Sequence, residues 1–485
     1  MAVSRLLVAN RGEIAVRIIR ACQSLGIESV AVVSEADRDS MPARLANRTV
    51  CIGPPRSAES YLKVDALVAT ALGTGCDALH PGYGFLAEKS ELAEACAKHG
   101  ITFVGPRADS IRQMGNKLLA RATVAAFGVP LVPGSDNVRD SEDAAEVARE
   151  IGYPVLLKAA AGGGGKGIKI VREDGELQTA FGTAAAEARA AFGDPTLYME
   201  RYVPNARHIE VQVIGDRFGN VVHVGERDCS LQRRYQKVVE EAPAACIPVE
   251  LRERIREAGH KVAREIKYEN AGTVEFIYDE DRQDFFFLEM NTRIQVEHPV
   301  TEMITGLDLV QEQIRVAGGE RLSFSQEDVR FNGHAIECRV TAEAPWQGFR
   351  PCPGTLTEWS PPHGPGIRVD TQCFPGYRVP PFYDSLLAKL IVHADDREQA
   401  VARMKQALSQ FSAAGIDTTI PFLAAVMDEP DYVSGRVSTR WLEGDRRDGG
   451  PPRVTVGHAP PEACPSSRIV AEVGATAGRP YGAAP

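Results

Sequence analysis

Between Glu289 and Glu297 the chain reads Glu-Met-Asn-Thr-Arg-Ile-Gln-Val-Glu, an alternation of charged or amide side chains with mostly apolar ones. In an extended chain successive side chains point to opposite faces. Glu289, Asn291, Arg293, Gln295 and Glu297 would then share one face, and Met290, Thr292, Ile294 and Val296 the other. Carboxylate and amide oxygens suit a hard cation, and a guanidinium beside them suits a small planar anion. An active-site wall is expected here rather than a solvated face.

Other segments supply matching chemistry. Glu275 lies in the run Thr273-Val-Glu-Phe-Ile277, and a hairpin turning around Arg282 sets it opposite Glu289. Like charges so placed destabilise a sheet unless a cation lies between them. With Asn291 they would form an oxygen-ligand site for Mg2+ or Mn2+ on nucleotide phosphates; the plainer alternative pairs each carboxylate with a basic neighbour. Lys158 ends the apolar run Val155-Leu-Leu-Lys158 and needs an anionic partner, which a phosphate would provide.

The run Gly162-Gly-Gly-Gly-Lys-Gly167 leads into an apparent strand, Ile168–Val171, and no Ser or Thr follows Lys166. It therefore fails both the dinucleotide fingerprint and the P-loop. A glycine flap closing over phosphates is expected, against the alternative of a flexible surface hairpin. Lys117 opens a helix and alone could be a surface charge. The segment Glu200-Arg-Tyr-Val203 has the look of an interdomain hinge whose backbone could recognise adenine. Arg227 to Lys237 carries four cations, and amid apolar strands an anion site is expected there rather than a solvated face. Arg339 is a lone arginine in an apolar strand, by itself an ordinary buried ion pair.

The elements that must position these groups are legible as alternating βα units. Arg5 to Ala9, Ser29 to Ser34, Ala78 to His80 and Ile101 to Val104 read as strands, and Gly12 to Leu25 as an amphipathic helix. That order predicts a parallel, doubly wound sheet of α/β class. A helix from Met114-Gly-Asn-Lys117 to near Gly128 and a linker, Val129 to Ser135, precede a second unit: helix Asp143 to Ile151, then strands Val155 to Ala159 and Ile168 to Val171. Arg207 to Ile214 with Val221 to Glu226, and Thr273 to Tyr278 with Phe285 to Met290, read as hairpins. A third block, Asn332 to Leu442, mixes short strands with helix Arg397 to Phe411. No internal repeat is seen.

The 485 residues suffice for two or three domains, and 44% apolar with 25% charged residues is an ordinary globular composition. A net charge of −10 argues against a nucleic-acid or anionic-membrane surface. No apolar run approaches the roughly 20 residues of a membrane span, and the N-terminus does not read as a secretory signal. The 10 cysteines are scattered, with no Cys-x-x-Cys, which disfavours zinc and a disulfide framework and points to a reducing cytoplasm.

Taken in order, Ala9-Asn-Arg-Gly-Glu-Ile14, His80-Pro-Gly-Tyr-Gly-Phe-Leu86, Gly162 to Gly167, Arg227 to Glu241, Glu289 to Thr305 and Tyr383-Asp-Ser385 resemble the biotin carboxylases of the ATP-grasp superfamily. The resemblance runs from about residue 3 to 443. It implies a mixed α/β (α+β) ATP-grasp fold: an N-terminal Rossmann-like domain over 1–113, an ATP-grasp domain over 114–330 with a mobile lid at about 131–203, and a C-terminal domain over 331–444. A Gly/Pro/Ala-rich tail, 445–485, follows.

The same resemblance implies roles. ATP would be bound by Lys117, Lys158, Gly163, Gly164, Gly165, Gly167, Glu200 and His208, with Arg201 and Val203 offering backbone contacts to adenine. Glu275, Glu289 and Asn291 would hold two Mg2+ or Mn2+ ions. Arg293, Gln295, the Val296 amide and Lys237 would hold bicarbonate, and Glu297 would deprotonate it. Arg339 would stabilise carboxyphosphate and the biotin enolate, with Tyr83 and Gly84 near the biotin ring. Cys229 matches a family cysteine and is read as structural or positioning. So much positive charge around one anion is what phosphoryl transfer to a carboxylate needs.

Departures are visible. Tyr235 replaces a histidine that contacts ribose in some relatives, and Ser24 and Pro365 replace a charged and an aromatic dimer contact, although a homodimer is still expected. Thr419 stands where many members have Asn. The carrier signature Ala-Met-Lys-Met is absent, and Met404-Lys405 falls in a predicted helix. The chain is therefore expected to be the biotin carboxylase component alone, working on a separate biotin carboxyl carrier protein with carboxyltransferase subunits. Acetyl-CoA carboxylase is the default reading; propionyl-CoA, another acyl-CoA or pyruvate are alternatives as acceptor. Rival readings are another ATP-grasp ligase, which would not need Arg339 or the His80 to Leu86 loop, and a non-catalytic scaffold, which would have lost Lys237, Glu297 or Arg339.

Overall fold

The computed structural model describes residues 3–160 and 168–444. The glycine run and the 445–485 tail lie outside the described residues, and with them Gly163, Gly164, Gly165 and Gly167.

The N-terminal region is a parallel sheet ordered Arg48–Cys51, Glu28–Val33, Arg5–Val8, Ala78–His80, Thr102–Phe103. Helix Gly12–Leu25 buries Ile14, Ile18, Ile19 and Cys22 against it. Gly26, at φ 69°, ends the helix in the left-handed region that glycine enters without cost and returns its N–H to the Cys22 carbonyl. The strand expected over 101–104 shrinks to Thr102–Phe103 at the sheet edge.

A four-stranded sheet, ordered Gly134–Val138, Leu197–Arg201, Val155–Ala159, Ile168–Val171, carries helices Ser141–Ile151 and Asp174–Phe192. Its first strand begins inside the segment expected to be a linker. Before it, the single helix expected from Met114 is two, Ala108–Gly115 and Lys117–Ala126. Asn116 is extended between them and its side chain accepts from the Leu119 N–H, so Lys117 becomes the first residue of a capped helix.

The centre is an eight-stranded sheet ordered Asp284–Asn291, Asn270–Asp279, Ala206–Gly215, Val221–Arg233, Gln236–Ala242, His334–Thr341, Leu386–Ala394, Ile367–Thr371. Both expected hairpins are present, and Glu275 pairs in register with Glu289. One face of its C-terminal half packs Ile336, Cys338, Val340 and Leu390 on helices Arg397–Gln410 and Ile420–Asp428. On the other face Ala242, Ala335 and Ile391 meet Val300 and Ile304 of helix His298–Thr305. Period-2 patterning thus sends apolar side chains one way and, nearer the cleft, charged ones the other.

The alternation from Glu289 to Glu297 is not one continuous strand, contrary to the expectation from sequence. The strand ends at Asn291, and residues 292–297 form turns that lead into helix His298–Thr305, with Pro299 in its first turn. Five residues on one strand face were expected; two are on the strand, and Arg293, Gln295 and Glu297 reach the site from an irregular segment.

Candidate active site

A cleft of about 910 Å³ lies between the three sheets. At one end its walls are apolar, from Leu156, Ile168, Ile170, Ile277 and Leu288. The crossing Arg201–Val203 lines the same end, with the Arg201 N–H on the Pro133 carbonyl at 2.8 Å. An apolar slot with backbone at its edge suits a planar heterocycle. The apolar walls come from four separate segments and were not read from the sequence.

Cations line the middle. Lys158 is paired with Glu200, which also accepts from Arg121. The anionic partner that Lys158 required is therefore a protein carboxylate, and the buried Glu200 is held by two cations. Lys117 Nζ stands 3.5 Å from Glu289. His208 Nδ1 faces Gln232 Nε2 at 3.0 Å, and its Nε2 lies 3.1 Å from Glu275.

Glu275, Glu289 and Asn291 come together on adjacent strands. Their carboxylate and amide oxygens are the hard donors a Mg2+-type ion prefers, and Glu289, with its side chain 37% exposed, remains open to the cleft. The residues fit such an ion. Burial opposes ionisation of Glu275, but Lys237 and His208 outweigh it and hold this carboxyl well below the usual range.

Lys237 is the hub of the inner end. Its ammonium bonds Glu210 at 2.5 Å, Glu297 at 2.5 Å and Glu275 at 3.1 Å. Glu297 is bridged by two cations, Lys237 on one oxygen and Arg339 Nη2 on the other at 2.9 Å. Burial alone would raise Glu297, but Lys237, Arg339 and Arg227 hold it far below the ordinary carboxylate value, so it is ionised at neutral pH. Arg339 also donates from Nε to Glu240 at 2.6 Å.

Arg293 donates to Glu88 at 2.8 Å and to Asn291 at 2.9 Å. Gln295 donates to Glu275 and accepts from Arg227, each at 2.8 Å. The Val296 carbonyl accepts from the buried Lys389 at 3.0 Å.

The basic run does not form one anion site. Arg227 is fully buried and donates to Glu210, Gln212, Thr273, Gln295 and Thr301, bracing the active-site segment from behind. Arg233 stacks on Phe349, and Arg234 and Tyr235 form a turn in the left-handed region. Of the four cations, Arg227 and Lys237 both reach Glu210, and Lys237 also bonds Glu275 and Glu297. Cys229 is buried and its thiol is pushed well up by that burial, which fits a structural role. Tyr235 lines the cleft and is exposed.

Tyr83 and Gly84 stand on the loop after Ala78–His80. Asn10 Nδ2 donates to the Pro81 and Tyr83 carbonyls at 2.7 and 2.8 Å, and His80 Nδ1 accepts from the Gly82 N–H at 3.0 Å. The Tyr83 hydroxyl donates to Glu13. Gly82 has φ 64°, and a Cβ there would sit 3.0 Å from Ile14 and 3.1 Å from Asn10.

Glu210, Glu240, Glu88 and Lys389 are functional-site neighbours that sequence reasoning missed. A signal existed for Glu210: in Arg207 to Ile214, His208, Glu210 and Gln212 alternate with Ile209, Val211 and Val213. Among the described residues no helix is long and apolar enough to cross a membrane. Met404 is buried inside helix Arg397–Gln410.

Three family models match in chain order: the biotin carboxylase N-terminal domain over 2–111, the carbamoyl-phosphate synthase L chain ATP-binding domain over 116–325, and the biotin carboxylase C-terminal domain over 337–444. Biotin carboxylase 1 of Bacillus subtilis is 53% identical over 442 residues, covering 91% of this chain and 98% of the relative. A pyruvate carboxylase subunit of Methanothermobacter thermautotrophicus is 51% identical over 445 residues, 92% of this chain and 90% of its own. The biotin carboxylase domain dimer of Hydrogenobacter thermophilus 2-oxoglutarate carboxylase, solved with MgADP, ADP and bicarbonate, superposes with a TM-score of 0.89 at 49% identity, covering 95% of this chain and 100% of that one. The Campylobacter jejuni biotin carboxylase–β,γ-ATP complex gives 0.89 at 48% identity, covering 91% and 98%. Such likeness along nearly the whole length of both partners leaves one assignment: the chain, an ATP-dependent carboxylating ligase on the ATP-grasp fold, belongs to the biotin carboxylase family.

Proposed function

We propose that this chain is the biotin carboxylase component of an acetyl-CoA carboxylase, charging biotin on a separate carrier protein in the supply of malonyl-CoA for fatty acid synthesis. The observation that carries the chemistry is the ionised Glu297 held between Lys237 and Arg339 at the inner end of the cleft.

The apolar slot and the Arg201–Val203 backbone take the adenine of ATP, and Lys117, Lys158, His208 and the glycine run take its phosphates. Glu200 positions Lys158. Glu275, Glu289 and Asn291 would hold two Mg2+ ions, with Mn2+ as a substitute; bound there, the ions supply positive charge to the phosphate oxygens. Bicarbonate lies against Arg293, Gln295, the Val296 amide and Lys237. An anion placed there divides the charge of Lys237 and Arg339 between itself and Glu297. The proton affinity of Glu297 therefore rises as bicarbonate arrives, and the carboxylate takes its proton. The freed oxygen attacks the γ-phosphorus, the bond to ADP breaks, and carboxyphosphate forms. Arg339 then stabilises the anion and the biotin enolate, with Tyr83 and Gly84 against the ring. Residues 1–113, 114–330 and 331–444 serve as the three domains of this machine, in a cytoplasmic homodimer with carrier and carboxyltransferase subunits.

ATP hydrolysis with Mg2+, with and without bicarbonate and free biotin, tests the chemistry. Turnover that needs bicarbonate, rises with biotin and collapses in Glu297→Gln is expected; turnover indifferent to biotin but stimulated by an amine would favour another ATP-grasp ligase. A second reading, a pyruvate or 2-oxo-acid carboxylase component, is favoured by relatives of those names at similar identity. Reconstitution with carrier and carboxyltransferase subunits decides the acceptor: malonyl-CoA from acetyl-CoA supports the first reading, and carboxylation of pyruvate or 2-oxoglutarate the second.

A further inference from the structure

Behind the cleft, a second pair of glutamates lies on the sheet face that helix His298–Thr305 covers. Glu240 and Glu337 are register partners on strands Gln236–Ala242 and His334–Thr341, and each is 0% exposed. Register partners on antiparallel strands hold their Cβ atoms about 4.5–5.5 Å apart on one face. Of their four carboxylate oxygens only Glu240 Oε1 has a hydrogen-bond partner among the described residues, namely Arg339. Glu240 Oε2 and both oxygens of Glu337 have none.

The groups facing the pair cannot neutralise two charges. Arg339, on the same strand as Glu337, is shared with Glu297. Lys237 is committed to Glu210, Glu275 and Glu297. Lys389, on the next strand, lies 3.2 Å from Glu13 and donates to the Val296 carbonyl. The covering helix contributes Glu297 at its start and the buried His298. Two carboxylates sealed from water with part of one guanidinium and an ammonium already engaged elsewhere are strongly disfavoured. A proton on Glu337, donated to Glu240 Oε2, removes one charge and satisfies an orphaned acceptor at once.

We propose that Glu240 and Glu337 share a single proton, and that this acid–carboxylate pair is a positioning device for Arg339, holding Nε and Nη2 of its guanidinium so that Nη2 also reaches Glu297 and the remaining N–H groups face the reacting anion. Consistent with this geometry, burial raises both carboxyls above their ordinary range. Arg339 only partly opposes the rise at Glu240 and Lys389 that at Glu337, where the charge of Glu240 adds to it. Ionising the pair at alkaline pH places a second negative charge beside Arg339 and draws it away from the anion. The inference rests on the part given to Arg339 in the proposed carboxylation.

Infrared spectroscopy of the full chain reads the proton without turnover. A buried carboxylic-acid C=O component is expected at neutral pH and is lost in Glu337→Gln. Its absence from the wild type, or its survival undiminished in both Glu337→Gln and Glu240→Gln, overturns the proposal. In kinetics, Glu240→Gln and Glu337→Leu each lower kcat for biotin carboxylation about tenfold with KM for ATP little changed, as loss of one charge-assisted hydrogen bond implies. A fall in wild-type kcat at alkaline pH is expected, and Glu337→Gln, whose amide still donates, recovers kcat and flattens that fall. An unchanged alkaline limb in Glu337→Gln, or wild-type kcat in Glu240→Gln, also overturns it. A wild-type chain inert to bicarbonate and biotin would instead defeat the functional reading, while the infrared result still decides the pair.

Discussion

Two pairs of glutamates face one another across neighbouring antiparallel strands of one sheet, Glu275 with Glu289 and Glu240 with Glu337, and their electrostatics are opposite. The first opens to the cleft and has Lys117, Lys237 and His208 within reach, so Glu275 stays ionised despite burial. The second is sealed and has part of one guanidinium and the Lys389 ammonium, which is already engaged by Glu13 and the Val296 carbonyl, so its carboxyls are raised. Both are register partners on antiparallel strands, the first beside a register shift between Glu275 and Phe276 and the second in a regular ladder. Access to water and the number of nearby cations therefore decide whether such a pair is suited to a metal ion or to a proton. Glu297 stands between them, tied by Lys237 to the open pair and by Arg339 to the sealed one.

Removing that link has the largest expected effect. Glu297→Gln should lower bicarbonate-dependent ATP turnover by about 10²–10⁴-fold, the range for loss of a general base, measured beside a wild-type control. Lys237→Met turns the open cluster into something like the sealed pair, leaving Glu210, Glu275 and Glu297 without their shared cation. A loss of about 3–5 kcal/mol in denaturant unfolding is expected. Glu289→Gln should raise the Mg2+ concentration needed for half-maximal turnover about tenfold or more, whereas Glu337→Gln should leave it in place. Equal shifts in the two variants would erase the contrast.

Acid and base separate the pairs further. Glu275 and Glu297 have folded values below their unfolded ones, so their stabilisation is present above the unfolded value of about 4.3 and fades as pH falls toward the folded value. Glu240 and Glu337 are raised, so their contribution is full below about 4.3 and fades as pH rises toward the folded value. Melting temperature against pH should lose part of its acid slope in Glu297→Gln, whereas Glu337→Gln should affect the opposite limb. The smallest effect concerns Thr419, whose hydroxyl accepts from the Thr341 N–H at 2.9 Å and lies 3.3 Å from the Arg339 carbonyl. Thr419→Ala should cost about 1 kcal/mol, read by thermal unfolding, and soften the strand that carries Arg339.

Much of this was legible because it is local. Helix Gly12–Leu25 and strands Val155–Ala159 and Ile168–Val171 follow from their own periodicity and end signals. The pairing of Glu275 with Glu289 follows from one short hairpin. The extended reading of Arg293 to Glu297 failed because alternation marks a strand only where a neighbouring strand is present to pair with it, and here Pro299 and the following helix turn the chain away.

By itself the sequence determined the order of the elements, the hairpin that opposes two carboxylates, and the stock of cations and acids near them, since these depend on residues close along the chain. Only the tertiary structure decided that Lys158 meets Glu200, that Arg227 braces the site from behind, and that Glu240 lies against Glu337 on a strand nearly a hundred residues away. Whether a carboxylate is a ligand, a base or an acid depends on burial and on charges brought in from distant segments, and spacing along the chain encodes neither.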